Sequence, residues 1–147
     1  MDLWLGDFSP VLPKHEVKFT YKPKYIKSED AKFVRSEFMK VLQKMDTQLN
    51  RNEIILDGGN VVHNNCNKAI ISERVLLGNE GKTPTVLQNE LENLLATKVG
   101  FIPDPEDTTG HADGIVAFVE DNVLLIGEHG DEEYYKSVEC AVKSGVF

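Results

Sequence analysis

The pattern of apolar and polar positions changes period several times along the chain. Val17 to Tyr21 alternates as a strand does. From Ser28 the period lengthens: Val34, Phe38, Val41, Met45 and Leu49 fall on one helical stripe. Ser28 can cap that helix, and Glu29 and Asp30 fill its first turn, where the helix dipole favours negative charge. The stripe predicts an end near Asn50 to Asn52. Glu53 to Leu56 reads as a short buried strand that stops at Asp57-Gly58-Gly59-Asn60. Val61-Val62, a polar turn at Asn64-Asn65, the strand Ala69 to Ser72 and a further short strand Val75 to Gly78 follow. Thr83 caps the second helix with Pro84 at its first position, and Leu87, Leu91, Leu94 and Leu95 give it a core face. Val99 to Ile102 is a strand closed by Pro103 and Pro105, and a polar loop runs to Gly110. Ile115 to Val119 and Val123 to Ile126 predict a hairpin around Asp121-Asn122, and a last helix runs from about Asp131 to Lys143. Ahead of all these, Trp4 to Pro13 mixes aromatics with Gly6, Pro10 and Pro13 and reads as irregular or a short strand.

The three helices recur at roughly 50 residues with paired strands between them, a spacing typical of repeated units. The expected class is mixed α and β (α/β or α+β), an incomplete set of strand–strand–helix–strand units in one domain over residues 1–147, since no linker interrupts the chain.

Composition narrows the function. At 147 residues, 41% hydrophobic and 27% charged, the chain can bury a small core, and it has no run of about 18 apolar residues that could span a membrane. Two cysteines, Cys66 and Cys140, make a poor disulfide framework, and the N-terminus lacks a signal-peptide pattern, so a cytoplasmic setting is expected. The net charge of −8 disfavours nucleic acid and suits a cationic ligand, although solubility alone also explains it.

Three sites put an acid or imidazole beside glycine: Asp7 in Trp-Leu-Gly-Asp-Phe-Ser-Pro, Asp57 in Leu-Asp-Gly-Gly-Asn, and His111 and Asp113 in Gly-His-Ala-Asp-Gly. Taken singly, each is better explained as structure. Asp-Gly-Gly-Asn is a good turn sequence, Asp7 could cap a turn, and His-x-Asp could open a strand with both side chains on one face. Their order changes the weighting. Together with Leu-Leu-Gly-Asn ending at Asn79 and the Pro-Asp-Pro loop ahead of His111, they resemble the agmatine deiminases and bacterial-type peptidylarginine deiminases of the guanidine-modifying (pentein) superfamily.

That resemblance implies a partial five-bladed α/β propeller and hydrolysis of a guanidine group by a cysteine nucleophile, with a histidine moving protons. The ligand would be a small cationic guanidine compound or peptidyl-arginine, whose planar charge suits paired carboxylates. Carried over position by position, His111 is the general acid/base and Asp57 its acidic assistant. Asp7 and Asp113 bind the guanidinium, and Trp4 stands beside the first acid. No cofactor and no metal are implied. Two departures stand out: Gly6 occupies the place of an arginine found in many relatives, and the late glycine-rich Ile-His-Cys segment carrying the nucleophile does not occur. Cys140 fits a small buried position on a helix, and Cys66 sits in a polar turn near His63. The expectation is a truncated family member without activity of its own, completed by self-association or by a C-terminal fragment. The alternatives are a guanidinium-binding module without turnover and a metal-dependent hydrolase using His111 and Asp113 with His63 or His129.

Overall fold

The structure, a computed structural model, describes residues 5–9, 11, 16–44, 50–105, 109–128 and 130–145. Trp4, Met45, Leu49 and His129 lie outside the described residues. The elements in chain order are α1 (Leu5–Phe8), β1 (Val17–Thr20), α2 (Ser28–Lys44), β2 (Asn50–Ile55), β3 (Val61–His63), β4 (Lys68–Ser72), α3 (Arg74–Gly78), α4 (Pro84–Leu95), β5 (Lys98–Ile102), β6 (Val116–Glu120), β7 (Val123–Ile126) and α5 (Glu132–Gly145). Short 3-10 turns at Gly58–Asn60 and Ala112–Gly114 precede β3 and β6.

The central unit has strand order β3-β4-β5. β3 and β4 are antiparallel, and β4 and β5, joined through α3 and α4, are parallel. A strand paired in parallel and covered on both faces needs an unbroken apolar run rather than alternation, which is why β4 reads Ala69-Ile70-Ile71. Ala69 and Ile71 enter one core with Val99 and with Leu87, Leu91 and Leu95 of α4. Ile70 turns to the opposite face, into a second core with Ile102, Val116 and Val138 of α5. The leucines, four residues apart on α4, are fully buried. Thr83 caps that helix by accepting from the Val86 N–H, with Pro84 following, and Ala96 closes it in the left-handed region at φ 49°.

The flanking segments repeat parts of this pattern. β1 pairs in parallel with β2 across α2, and Val11 forms an antiparallel bridge to Val17, as β3 does to β4. β6 and β7 form an antiparallel hairpin followed by α5, capped at Asp131, whose carboxylate accepts from the N–H groups of Glu133 and Tyr134.

Four expectations need correction. The segment Trp4 to Pro13 contains a short helix, α1. The α2 helix is described only to Lys44 and β2 already begins at Asn50, while Val41 of the expected core stripe is 50% exposed and the buried positions are Ala31 and Leu42. Val75 to Gly78 is helical rather than extended. A four-residue apolar run carries no decisive period, and the Asn79 amide takes up the Val75 carbonyl, closing the turn as a helix. Cys140 is exposed on α5 rather than buried.

Candidate active site

The three acid or imidazole motifs occupy equivalent places, each just ahead of one repeated unit. Asp7 lies on α1 before the Val11–β1 pair, Asp57 at the turn into β3, and His111 at the turn into β6. The chain brings them together. Nε2 of His111 is 3.4 Å from Oδ2 of Asp57, and Nδ1 is 3.8 Å from Oδ1 of Asp7. All three side chains are almost enclosed, at 11–14% exposure.

Backbone geometry makes this approach possible. An added Cβ on Gly59 would lie 2.5 Å from Nδ1 of His111 and 2.8 Å from Oδ1 of Asp7, so only glycine leaves the space for the pair. A Cβ on Gly58 would collide with the Gly6 carbonyl, so α1 packs directly on the turn. Asn60 then ties the two turns together. Its Oδ1 accepts from the N–H groups of Ser72 (2.8 Å) and Ala112 (3.2 Å), and its Nδ2 donates to the Ser72 carbonyl. The Ser72 hydroxyl donates to the Gly110 carbonyl at 2.5 Å. Gly110 itself is in the left-handed region at φ 69°, packed against Arg74, whose guanidinium makes a forked pair with Asp104. The Leu-Leu-Gly-Asn motif serves the same site from beneath: Asn79 bonds both the N–H and the carbonyl of Ile55, fixing the end of β2 two residues before Asp57.

The electrostatics follow from burial and charge. Burial favours a neutral His111, but the hydrogen bond to Asp57 and the charges of Asp7, Asp57 and Asp113 outweigh it, and the imidazole pKa is raised. Asp7 is also raised, because the desolvation of its carboxylate exceeds what His111, Tyr25 and the Gly59 N–H return. Tyr25 went unnoticed in the sequence. Its hydroxyl donates to Asp7 at 3.3 Å, and its ring meets His111 edge-on with centroids 6.2 Å apart. Burial, a hydrogen bond with Tyr21 and the nearby carboxylates raise the Tyr25 pKa, so it remains a donor. Only the spacing of Tyr21 and Tyr25, two tyrosines four residues apart beside a proline, hinted at it.

Asp57 and His111 line a small cleft with Tyr25, Asn60, Thr109 and Arg74, about 60 Å³ in volume, several times what one water needs. Asp7 lies on the other side of the imidazole, at Nδ1. Asp113 is exposed in the 3-10 turn Ala112–Gly114, so it does not share a strand face with His111; its charge nevertheless reaches the ring. Cys66 is exposed beyond the start of β4, whereas His111 is tied to the far end of that strand through Gly110 and Ser72. About 13 Å of strand separates the two ends. His63 faces the same remote turn, its Nδ1 accepting from the Asn65 N–H. Among the described residues no group of three or more His, Cys, Asp or Glu side chains is placed to hold a metal ion.

The mixed α/β fold is shared with solved deiminases. The structure superposes on a Cys-to-Ser variant of C. jejuni agmatine deiminase with substrate bound (TM-score 0.73, 21% identity, 97% of this chain and 48% of that one). It is similar to Enterococcus faecalis agmatine deiminase (TM-score 0.71, 19% identity, 95% and 44%) and to Pseudomonas aeruginosa DDAH (TM-score 0.57, 12% identity, 92% and 51%). The chain belongs to the Porphyromonas-type peptidyl-arginine deiminase family, whose profile matches residues 1–143. It spans about half the length of these solved relatives. No curated protein matches it. No described helix is long and apolar enough to cross a membrane.

Proposed function

We propose that this chain supplies the acid and histidine part of a guanidine-hydrolysing site, within a five-bladed α/β propeller of which residues 1–147 form one portion. The observation that carries this reading is the placement of His111 between two carboxylates, 3.4 Å from Asp57 and 3.8 Å from Asp7, at the wall of a cleft. In the reaction a thiolate adds to the guanidinium carbon. The leaving amine or ammonia takes a proton from His111, water adds with His111 as base, and the carbon–sulfur bond breaks to restore the thiolate. Asp57 holds His111 in its protonated form. Asp7 and Asp113 are assigned as the carboxylates for the guanidinium N–H groups, and Trp4, outside the described residues, as an aromatic contact to the substrate. Tyr25 keeps Asp7 in place.

We assign the thiol to residues outside these 147, since Cys66 is a strand length from His111 and Cys140 is exposed on α5, away from the lining of the cleft. The isolated chain therefore binds agmatine or a peptidyl-arginine ligand without hydrolysing it. Exposed apolar residues of the β6–β7 hairpin, Val119, Val123 and Leu125, suit burial against a second copy or a complementary C-terminal fragment. Agmatine deiminases among the solved relatives support the small-ligand choice, and the family's name supports peptidyl-arginine. Calorimetric titration with agmatine and with an arginine-containing peptide decides between them: saturable binding to one, lost in Asp57→Asn, supports the reading, and no heat with either defeats it. Ammonia release by the chain alone would contradict the assignment of the thiol.

A further inference from the structure

A second concave surface takes no part in the site above. It lies between α2 and the β1–β2 pair, has a cavity volume of about 330 Å³, and is lined by Lys18 of β1, Lys32 and Arg35 of α2 and Arg51 of β2, with no carboxylate among the described residues of its wall. Acids outnumber bases 24 to 16 in this chain, so four cations with no described acid lining the same wall run against its composition. None of the four makes an ion pair with a described residue; the ion pairs of the described residues lie elsewhere.

Lys18 is the informative member. It sits in the parallel β1–β2 pair at 5% exposure, and its ammonium donates to the neighbouring Phe19 carbonyl at 3.0 Å. An ammonium has three donors, and a buried polar group is normally satisfied. Burial, reinforced by the charge of Arg35 and only partly opposed by the charge of Asp57, lowers the Lys18 pKa to about 8. The floor beneath it is fixed: the Asn52 amide donates to the Lys18 carbonyl, and the Thr20 hydroxyl donates to the Asn52 carbonyl. A pre-set group of like charges around a buried, under-used ammonium is unfavourable when empty and favourable around an anion.

We propose that this groove binds a small phosphorylated anion, with the guanidinium groups of Arg35 and Arg51 forking onto phosphate oxygens, Lys18 as the buried point charge and Lys32 at the rim. Guanidinium geometry matches phosphate oxygens in pairs, and several charges are answered at once. An extended nucleic acid is disfavoured by the net charge of −8, which a small ligand held inside the groove largely escapes. The proposal does not depend on the deiminase reading, since none of Asp7, Asp57 or His111 lines the groove.

The test is calorimetry of the full chain with sodium pyrophosphate at constant ionic strength, against sodium sulfate and sodium perchlorate. Saturable one-to-one binding is expected, weaker by at least tenfold in Arg35→Gln and in Arg51→Gln, with circular dichroism confirming that both variants fold. A readout on the unaltered chain accompanies it: the Lys18 Cε resonance should titrate at higher pH when pyrophosphate is bound. The proposal is overturned by an absence of saturable heat, by equal affinity for perchlorate, by unchanged affinity in the folded variants, or by an unmoved Lys18 titration.

Discussion

At Gly59 the space a side chain would need already holds Nδ1 of His111 and Oδ1 of Asp7. Gly59→Ala should drive these groups apart, remove part of the charge that holds the imidazole protonated, and bring the raised His111 pKa back toward its ordinary 6.5. Measuring the titration of the His111 ring protons by NMR checks this, and an unchanged midpoint would show that the pair tolerates separation. The same raised pKa makes stability depend on pH. A histidine whose folded value exceeds its unfolded value contributes stability in full below about pH 6.5, and loses that contribution as pH rises through the folded value. The unfolding free energy of the chain should therefore fall across that interval. The fall should be shallower in His111→Gln, as measured by denaturant titration at a series of pH values. At this scale the sequence marked Asp7, Asp57 and His111, which the fold brings together, because glycines beside charged groups mark backbone that must approach closely. It did not disclose Tyr25, which reaches Asp7 only after β1 has been folded past α1, nor the exposure of Asp113, which depends on a 3-10 turn ahead of the expected strand.

The elements explain why the three motifs recur at roughly 50-residue intervals. Each precedes one strand-pair-and-helix unit, so the turns between successive units converge, and Asn60 binds the second turn to the third. Asn60→Ala would leave the buried N–H groups of Ser72 and Ala112 without their acceptor, at a cost of about 2–4 kcal/mol. Chemical denaturation measures it, and a loss below about 0.5 kcal/mol would mean that other acceptors replace the amide. The helices α4 and α5 and the β6–β7 hairpin were legible because capping residues, leucine spacing and a polar turn agreed with one another. The segment Val75 to Gly78 was not, since its conformation is decided by Asn79 reaching back to Val75 and across to Ile55.

For the whole molecule, the hairpin that follows the site leaves apolar side chains in water. Val119 is 53% and Leu125 57% exposed. Covering them is the driving force proposed for association with a second copy or a complementary fragment. Light scattering over a concentration series should report a mass above that of one chain, and Val119→Lys with Leu125→Lys should return it toward the monomer. A mass of one chain at every concentration would contradict self-association. The central claim, that His111 and its acids form the guanidinium end of a deiminase site, is tested most directly by following the His111 imidazole by NMR during titration with agmatine. A guanidinium held beside the ring disfavours the imidazolium, so the account predicts saturable shifts and a lowered His111 pKa; resonances and a pKa unmoved at millimolar agmatine would contradict it.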